Sequence, residues 1–312
     1  MMEPGLLKSA DWPVLIDLYF FLGGIAGGAF VIATIANLLD GERYRDIVRV
    51  GYYIAFLAVL PGPIILTVDL GLPTRFLHML MVPKPSLEIG MDAITIGPFH
   101  VKPFSPMNMG AWALLGFSGL AFLAALDVFL EDRGGRSMRT FRVVVGVIGG
   151  FFGFFLAAYP GVLLGATARP LFVSAHWLGA LFLAVGASTG GAAIALILSL
   201  SGGPRREALA RLMGFTAFAL VLQLAALALF ILGLSSGGSA GIARALAPLI
   251  TGPYGLSFWL GAVVIGILVP LALQFGGIIR KAAPAMTALV CVLILIGGFV
   301  VKYVIIAAGQ ST

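Results

Sequence analysis

Apolar residues run along this chain in eight long blocks, at 12–39, 47–68, 107–130, 141–163, 172–200, 208–234, 255–278 and 284–308, separated by polar or Gly- and Pro-containing connections. Each block supplies the roughly 20 apolar residues a helix needs to cross a hydrocarbon core. None alternates apolar and polar positions as a membrane barrel strand does, and lipid admits only helices or closed barrels as spanning structures. The pattern predicts an all-α polytopic membrane protein with eight transmembrane helices.

Composition agrees. Of 312 residues, 60% are hydrophobic and only 10% charged, against about 25% charged in soluble domains. The formal charge of +6 does not indicate a nucleic-acid partner, because the basic residues fall between apolar blocks rather than along one face. Cys291 is the single cysteine, in the apolar run VCVLIL, so the chain has no Cys set for zinc or an iron–sulfur cluster. The first block is too long for a signal-peptide core.

The connections orient the helices. Those after the first, third, fifth and seventh blocks are basic, with Arg43, Arg45 and Arg49; Arg133, Arg136, Arg139 and Arg142; Arg205, Arg206 and Arg211; Arg280 and Lys281. The positive-inside rule puts these in the cytoplasm and both termini on the outer, periplasmic side of the inner membrane. Two of the other connections are long. Residues 69–106 contain six prolines and a stretch, ITIGPFHVKPF, that predicts a hairpin around Gly97-Pro98; residues 235–254 are rich in Gly and Ser. An elaborated outer face is where function is expected.

Ionisable residues inside spans are costly and are functional candidates by default. Asp17 lies five residues in from Trp12, about 7.5 Å at 1.5 Å per residue. It reads either as an interfacial carboxylate paired with an outer-loop Arg or as a proton-exchanging group. Asp127, near Glu131 and Arg133, reads as a solvated helix end, Lys302 as a snorkelling residue, and Gln223 as a packing contact between helices. In FFLGGIAGGAFV, Gly23, Gly24, Gly27 and Gly28 suit either close helix contact or a flat ligand against bare backbone. The histidines are His78, His100 and His176, all in or beside outer connections and read as surface or capping residues. With none in a helix interior, a buried haem held by two axial histidines is not expected.

Several blocks together resemble the NrfD/PsrC family, the membrane subunits of polysulfide-reductase-like complexes. They are DLYFFLGGIAGGAF (17–30), VDLGLPTRFLHML (68–80) with SPMNMGAW (105–112), YPGVLLGATARPLF (159–172) and GPYGLSFWLG (252–261). The resemblance implies two four-helix bundles, 1–163 and 164–312, the first carrying a quinone site near the outer face. It implies menaquinone or ubiquinone as the bound substrate, with no haem or iron–sulfur cluster in this chain. The implied partners, on the outer face, are a ferredoxin-like iron–sulfur subunit and a molybdopterin or other catalytic subunit. Carried over residue by residue, Tyr159 stands near the ring, and Tyr19 stands where some members have histidine. A phenol hydrogen-bonds a carbonyl but is a poor base at neutral pH, so the proton-exchanging, catalytic role falls on Asp17. Gly23, Gly24 and Gly27 would leave the slot for the ring. Asp69, Arg75 and His78 belong to the loop at its rim, where Asp69 and Arg75 serve either the pocket or an ion pair pinning the loop. Rival readings are a secondary transporter, disfavoured by a midplane nearly free of charge, and a passive membrane anchor.

Overall fold

A computed structural model describes residues 12–81, 94–167, 169–173, 175–201, 206–236, 240–276 and 284–311. Its elements in chain order are α1 (Val14–Asp40), α2 (Arg45–Val59), α3 (Pro61–Asp69), α4 (His78–Met81), β1 (Ile94–Ile96), β2 (Phe99–Val101), α5 (Pro106–Asp132), α6 (Arg139–Gly165), α7 (Pro170–Val173), α8 (Leu178–Leu200), α9 (Arg206–Ser236) and α10 (Ala240–Ile250). A π-helical segment (Ser257–Leu268) then runs into α11 (Val269–Phe275), and α12 (Pro284–Gln310) follows. Among the described residues, eight stretches are long and apolar enough to cross a membrane, each on one of the blocks read from the sequence. The chain is a multi-pass, all-α membrane protein.

Local chemistry explains the boundaries. The second span is interrupted where α2 meets α3, because Pro61 and Pro63 remove N–H donors while Leu60 keeps helical dihedrals. Ser105 caps α5 by accepting from the Asn108 amide at 3.4 Å, and Pro106 occupies the first turn, where a missing N–H costs nothing. The expected hairpin is present as β1 and β2, with Ile96 opposite Phe99 and Gly97 at φ +58°. At the other end of the chain, Gln310 exchanges hydrogen bonds with the Trp12 backbone, and Arg169 donates to the last carbonyls of α12 at Gly309 and Gln310. The start of α1 and the end of α12 are thereby tied together.

Two helices are central. The most apolar stretches of α1 and α8 are 78% and 72% buried, against 33–56% for the other six spans. Helix α1 packs against α2, α6, α8 and α12. A helix enclosed on all sides needs small residues where backbones cross. A Cβ on Gly27 would run into the Gly153 carbonyl of α6, and one on Gly28 into the Gly186 carbonyl of α8. Gln223 of α9 accepts from Ser188 of α8 at 2.8 Å, a polar contact between helices of the kind the sequence suggested.

At the arginine-rich end the structure corrects one expectation. Asp127 is not solvated: it is 2% exposed and accepts from Arg142 Nε at 2.5 Å, while Arg142 Nη2 also binds Glu131. Arg45 reaches Glu131 at 3.2 Å, and Arg49 and the Tyr53 hydroxyl reach Asp132 at 2.7 and 2.8 Å. The network joins α2, α5 and α6, and burial under α2 is what removes Asp127 from water. Arg142→Met would strand the fully buried Asp127 carboxylate and leave Glu131 with Arg45 alone. Breaking a buried pair typically costs about 3–5 kcal/mol, so the variant should show a clearly lowered unfolding midpoint in detergent; an unchanged midpoint contradicts this.

Candidate functional site

Asp17 and Tyr19 are two residues apart, which on an α-helix turns their side chains about 200° away from each other. The structure follows that geometry and sorts the candidate residues onto two faces of α1.

One face carries Tyr19, Gly23 and Gly27, turned toward α3, α5 and α6. The Tyr19 ring lies against Gly62 of α3, where an added Cβ would come within 3.2 Å of the ring. Gly23 lies beside Leu156, and Gly27 against Gly153. Tyr159 of α6 stacks on Phe155, with ring centroids 5.6 Å apart, and its hydroxyl occupies the space that a Cβ on Gly110 of α5 would need. Tyr19 and Tyr159 are both buried and close enough to interact electrostatically. Neither hydroxyl forms a hydrogen bond with a described residue. Just beyond Tyr159, Pro160 lacks the N–H that would bond the Leu156 carbonyl. The YPG triplet thus places a phenol where the helix is weakened and where Gly161 lets α6 press against the α8 backbone at Gly179.

The other face carries Asp17, Gly24 and Gly28, turned toward α8 and α12. Gly24 lies beside Lys302 and Gly186, and Phe21, one turn below Asp17, meets Phe299 of α12 edge-on at 5.5 Å. Asp17 is 2% exposed; its Oδ1 has no hydrogen-bond partner, and no ion pair reaches it from a described residue. Lys302 corrects a second expectation, because it does not snorkel. It is 0% exposed, donates from Nζ to the Phe20 carbonyl at 2.6 Å, and holds its ammonium 5.1 Å from the centre of the Phe182 ring. Nearness to the helix end suggested an escape route, but Arg169 and the tie between Trp12 and Gln310 close that end.

The loop residues stand apart. Asp69 and Arg75 are exposed, with no ion pair between them, and His78 is half-buried at the start of α4. His100 is not a surface residue: it is buried in β2, its carbonyl accepts from Trp112 Nε1 at 3.0 Å, and its Nδ1 has no partner. Among the described residues, no group of three or more His, Cys, Asp or Glu is assembled to hold a metal ion. A groove of about 460 Å³ opens between α1, α6, α8 and α9, lined by Gly27, Gly28, Ala157, Leu183, Phe215 and Leu229 among other apolar residues. Gly27 belongs to both the phenol face and this groove.

The profile of the family described as Polysulphide reductase, NrfD matches residues 3–312. The chain is 27% identical to the protein NrfD homolog of Haemophilus influenzae, over 96% of this chain and 95% of that protein. It is 26% identical to a polysulfide reductase chain of Wolinella succinogenes, over 96% of this sequence and 94% of that one. With protein NrfD of Escherichia coli it shares 24% identity, over 97% and 95%. A match along almost the whole length, on a chain whose described residues include eight helices long and apolar enough to cross a membrane, makes this protein a member of the polysulphide reductase NrfD family.

Proposed function

We propose that this protein is the quinone-reactive membrane subunit of a multisubunit reductase, exchanging electrons between the membrane quinone pool and an iron–sulfur partner subunit. The observation that carries the reading is the buried pair Tyr19 and Tyr159, two neighbouring phenols whose hydroxyls take no partner among the described residues. Glycines at 62 and 110 make the room that the two phenol rings themselves take up. The apolar groove that begins at Gly27 takes the isoprenoid tail. Relatives named as one chain of a polysulfide reductase and one subunit of a selenate reductase support the place in a reductase complex.

A bound quinol supplies two electrons and two protons. The residues of this protein bind and orient it: the phenols hydrogen-bond the ring oxygens. Asp17 receives protons on the far side of α1. Within this reading the first four spans, 1–163, hold the ring site, and 164–312 complete the walls. The outer face, with the 69–106 loop, receives the iron–sulfur subunit and, beyond it, a molybdopterin or other catalytic subunit.

The test is to purify the complex, extract and quantify bound quinone, and repeat with Tyr159→Phe. The loss of one neutral hydrogen bond costs about 1 kcal/mol, so quinol affinity should fall about five-fold with the complex intact. Absence of quinone from an active complex, or unchanged affinity in Tyr159→Phe, would sink the reading.

A further inference from the structure

The two strands among the described residues form a hairpin whose pattern is inverted for water. Directly opposed residues of antiparallel strands share a face, so Ile94 and Val101, Ile96 and Phe99 lie on one side, and Thr95 and His100 on the other. A sheet with one wet face turns its apolar side to the protein and its polar side outward. Here the histidine is turned inward and buried, while Ile94 is 56% and Ile96 69% exposed.

The attachment of the hairpin sets what those isoleucines meet. The Lys102 amide donates to Asn108 Oδ1 at 2.7 Å, and Trp112 Nε1 donates to the His100 carbonyl at 3.0 Å. Strand β2 therefore runs beside the first turns of α5, which directs the turn at Gly97-Pro98 toward the bilayer rather than away from it. Asn108 and Trp112 are four residues apart, and Leu115, Gly119 and Phe122 continue the same stripe at helical spacing. Those three are exposed on a helix apolar enough to span a membrane, so the stripe faces lipid. Gly110, which lies against Tyr159, is on the opposite side of α5. The hairpin is thus fastened to the lipid side of the span and not to the top of the bundle. Depth agrees. Asp132, paired with the exposed Arg49, marks the charged end of α5, and Trp112 lies about 30 Å from it at 1.5 Å per residue. That is about the thickness of a hydrocarbon core, and it sets Trp112 at the boundary where tryptophan gathers. Phe99 meets the Trp112 ring there, with centroids 5.8 Å apart.

We propose that the β1–β2 hairpin is a lipid anchor, its outward face of Ile94, Ile96 and Phe99 seated in the headgroup–acyl boundary beside α5. The open edges of two short strands fix this level, because unpaired backbone groups are not left in hydrocarbon and water still reaches them at the boundary. Through Asn108, whose Nδ2 donates to the Met79 carbonyl at 2.6 Å, the same attachment holds α4 close to the bilayer. The hairpin belongs to lipid, and the rest of the 69–106 loop is left to face a partner subunit.

The experiment places a nitroxide at Ile94→Cys or Ile96→Cys in a Cys291→Ala background, with Arg136→Cys as the label in water. The full chain is studied in lipid nanodiscs, alone and in the purified complex. At 94 and 96, collisions with oxygen should exceed those with a water-soluble nickel complex, and at 136 the order should reverse. The result should be the same with and without the other subunits. Labels at 94 and 96 that behave like the one at 136 overturn the anchor. So does shielding from nickel that appears only in the complex, which would make a protein partner the cover. A second reading needs no label. Ile96→Trp should add emission that brominated lipid quenches, and an added emission untouched by brominated lipid overturns the proposal. None of these readouts depends on quinone, so this inference and the quinone reading fail separately.

Discussion

Gly28→Val should abolish folded protein in the membrane. A Cβ at position 28 would overlap the Gly186 carbonyl and lie 2.7 Å from its carbon, and a Cβ at Gly190 would lie 2.5 Å from the Ala29 amide. Every obstacle is backbone, so no side chain can swing aside. Ordinary overpacking costs about 1–3 kcal/mol where neighbours can shift; here relief requires separating α1 from α8, the two most enclosed helices. Gly119→Ala is the control, because a Cβ there meets nothing within 4 Å. Membrane abundance and monodispersity in detergent should collapse for Gly28→Val and stay at the native level for Gly119→Ala. Near-normal yield of Gly28→Val would mean that α1 and α8 are not in backbone contact.

Asp17→Asn should lower quinol-linked turnover per assembled complex by about 10²-fold. Removing a working acid–base group typically costs about 10²–10⁴-fold. The lower end applies because the carboxylate stands on the side of α1 opposite Tyr19 and takes the proton after it has left the ring. Asparagine keeps the size and the hydrogen bonding but cannot accept the proton. Turnover is normalised to assembled complex, so that a loss of assembly does not count as a loss of turnover. Native turnover in the assembled variant would make the carboxylate structural.

The eight spans and the Gly97-Pro98 hairpin were legible in the sequence because lipid imposes a length and an apolarity on anything that crosses it, and turns demand particular residues. What the helices face was harder to read. Helix α1 is apolar nearly all round, so no polar stripe marks an outer side, and helices enclosed in protein look in sequence like helices facing lipid. One signal was available and decisive. Asp17 and Tyr19, two apart, cannot share a helix face, so the spacing alone assigns them to different neighbours. Lys302 was misread from depth alone. It stands one turn from Gly298, whose added Cβ would run into the Thr189 side chain of α8, and a charge in register with a glycine contact points inward. Asp127 and Arg142 sit near opposite ends of one short connection, a spacing that allows a pair but does not show that α2 covers it.

The tie between the first helix and the last also bears on how the protein is made. Spans enter the membrane in order, yet α1 gains its contacts with Lys302 and Gln310 only when α12 arrives. Until then the face of α1 around Phe20 and Gly24 lacks its last neighbour, a long-range dependence that slows assembly and favours waiting intermediates. A nascent chain that has not yet inserted α12 therefore leaves that face of its first helix uncovered. Intramembrane quality control can read that as the mark of an unfinished protein, and the arrival of α12 erases it.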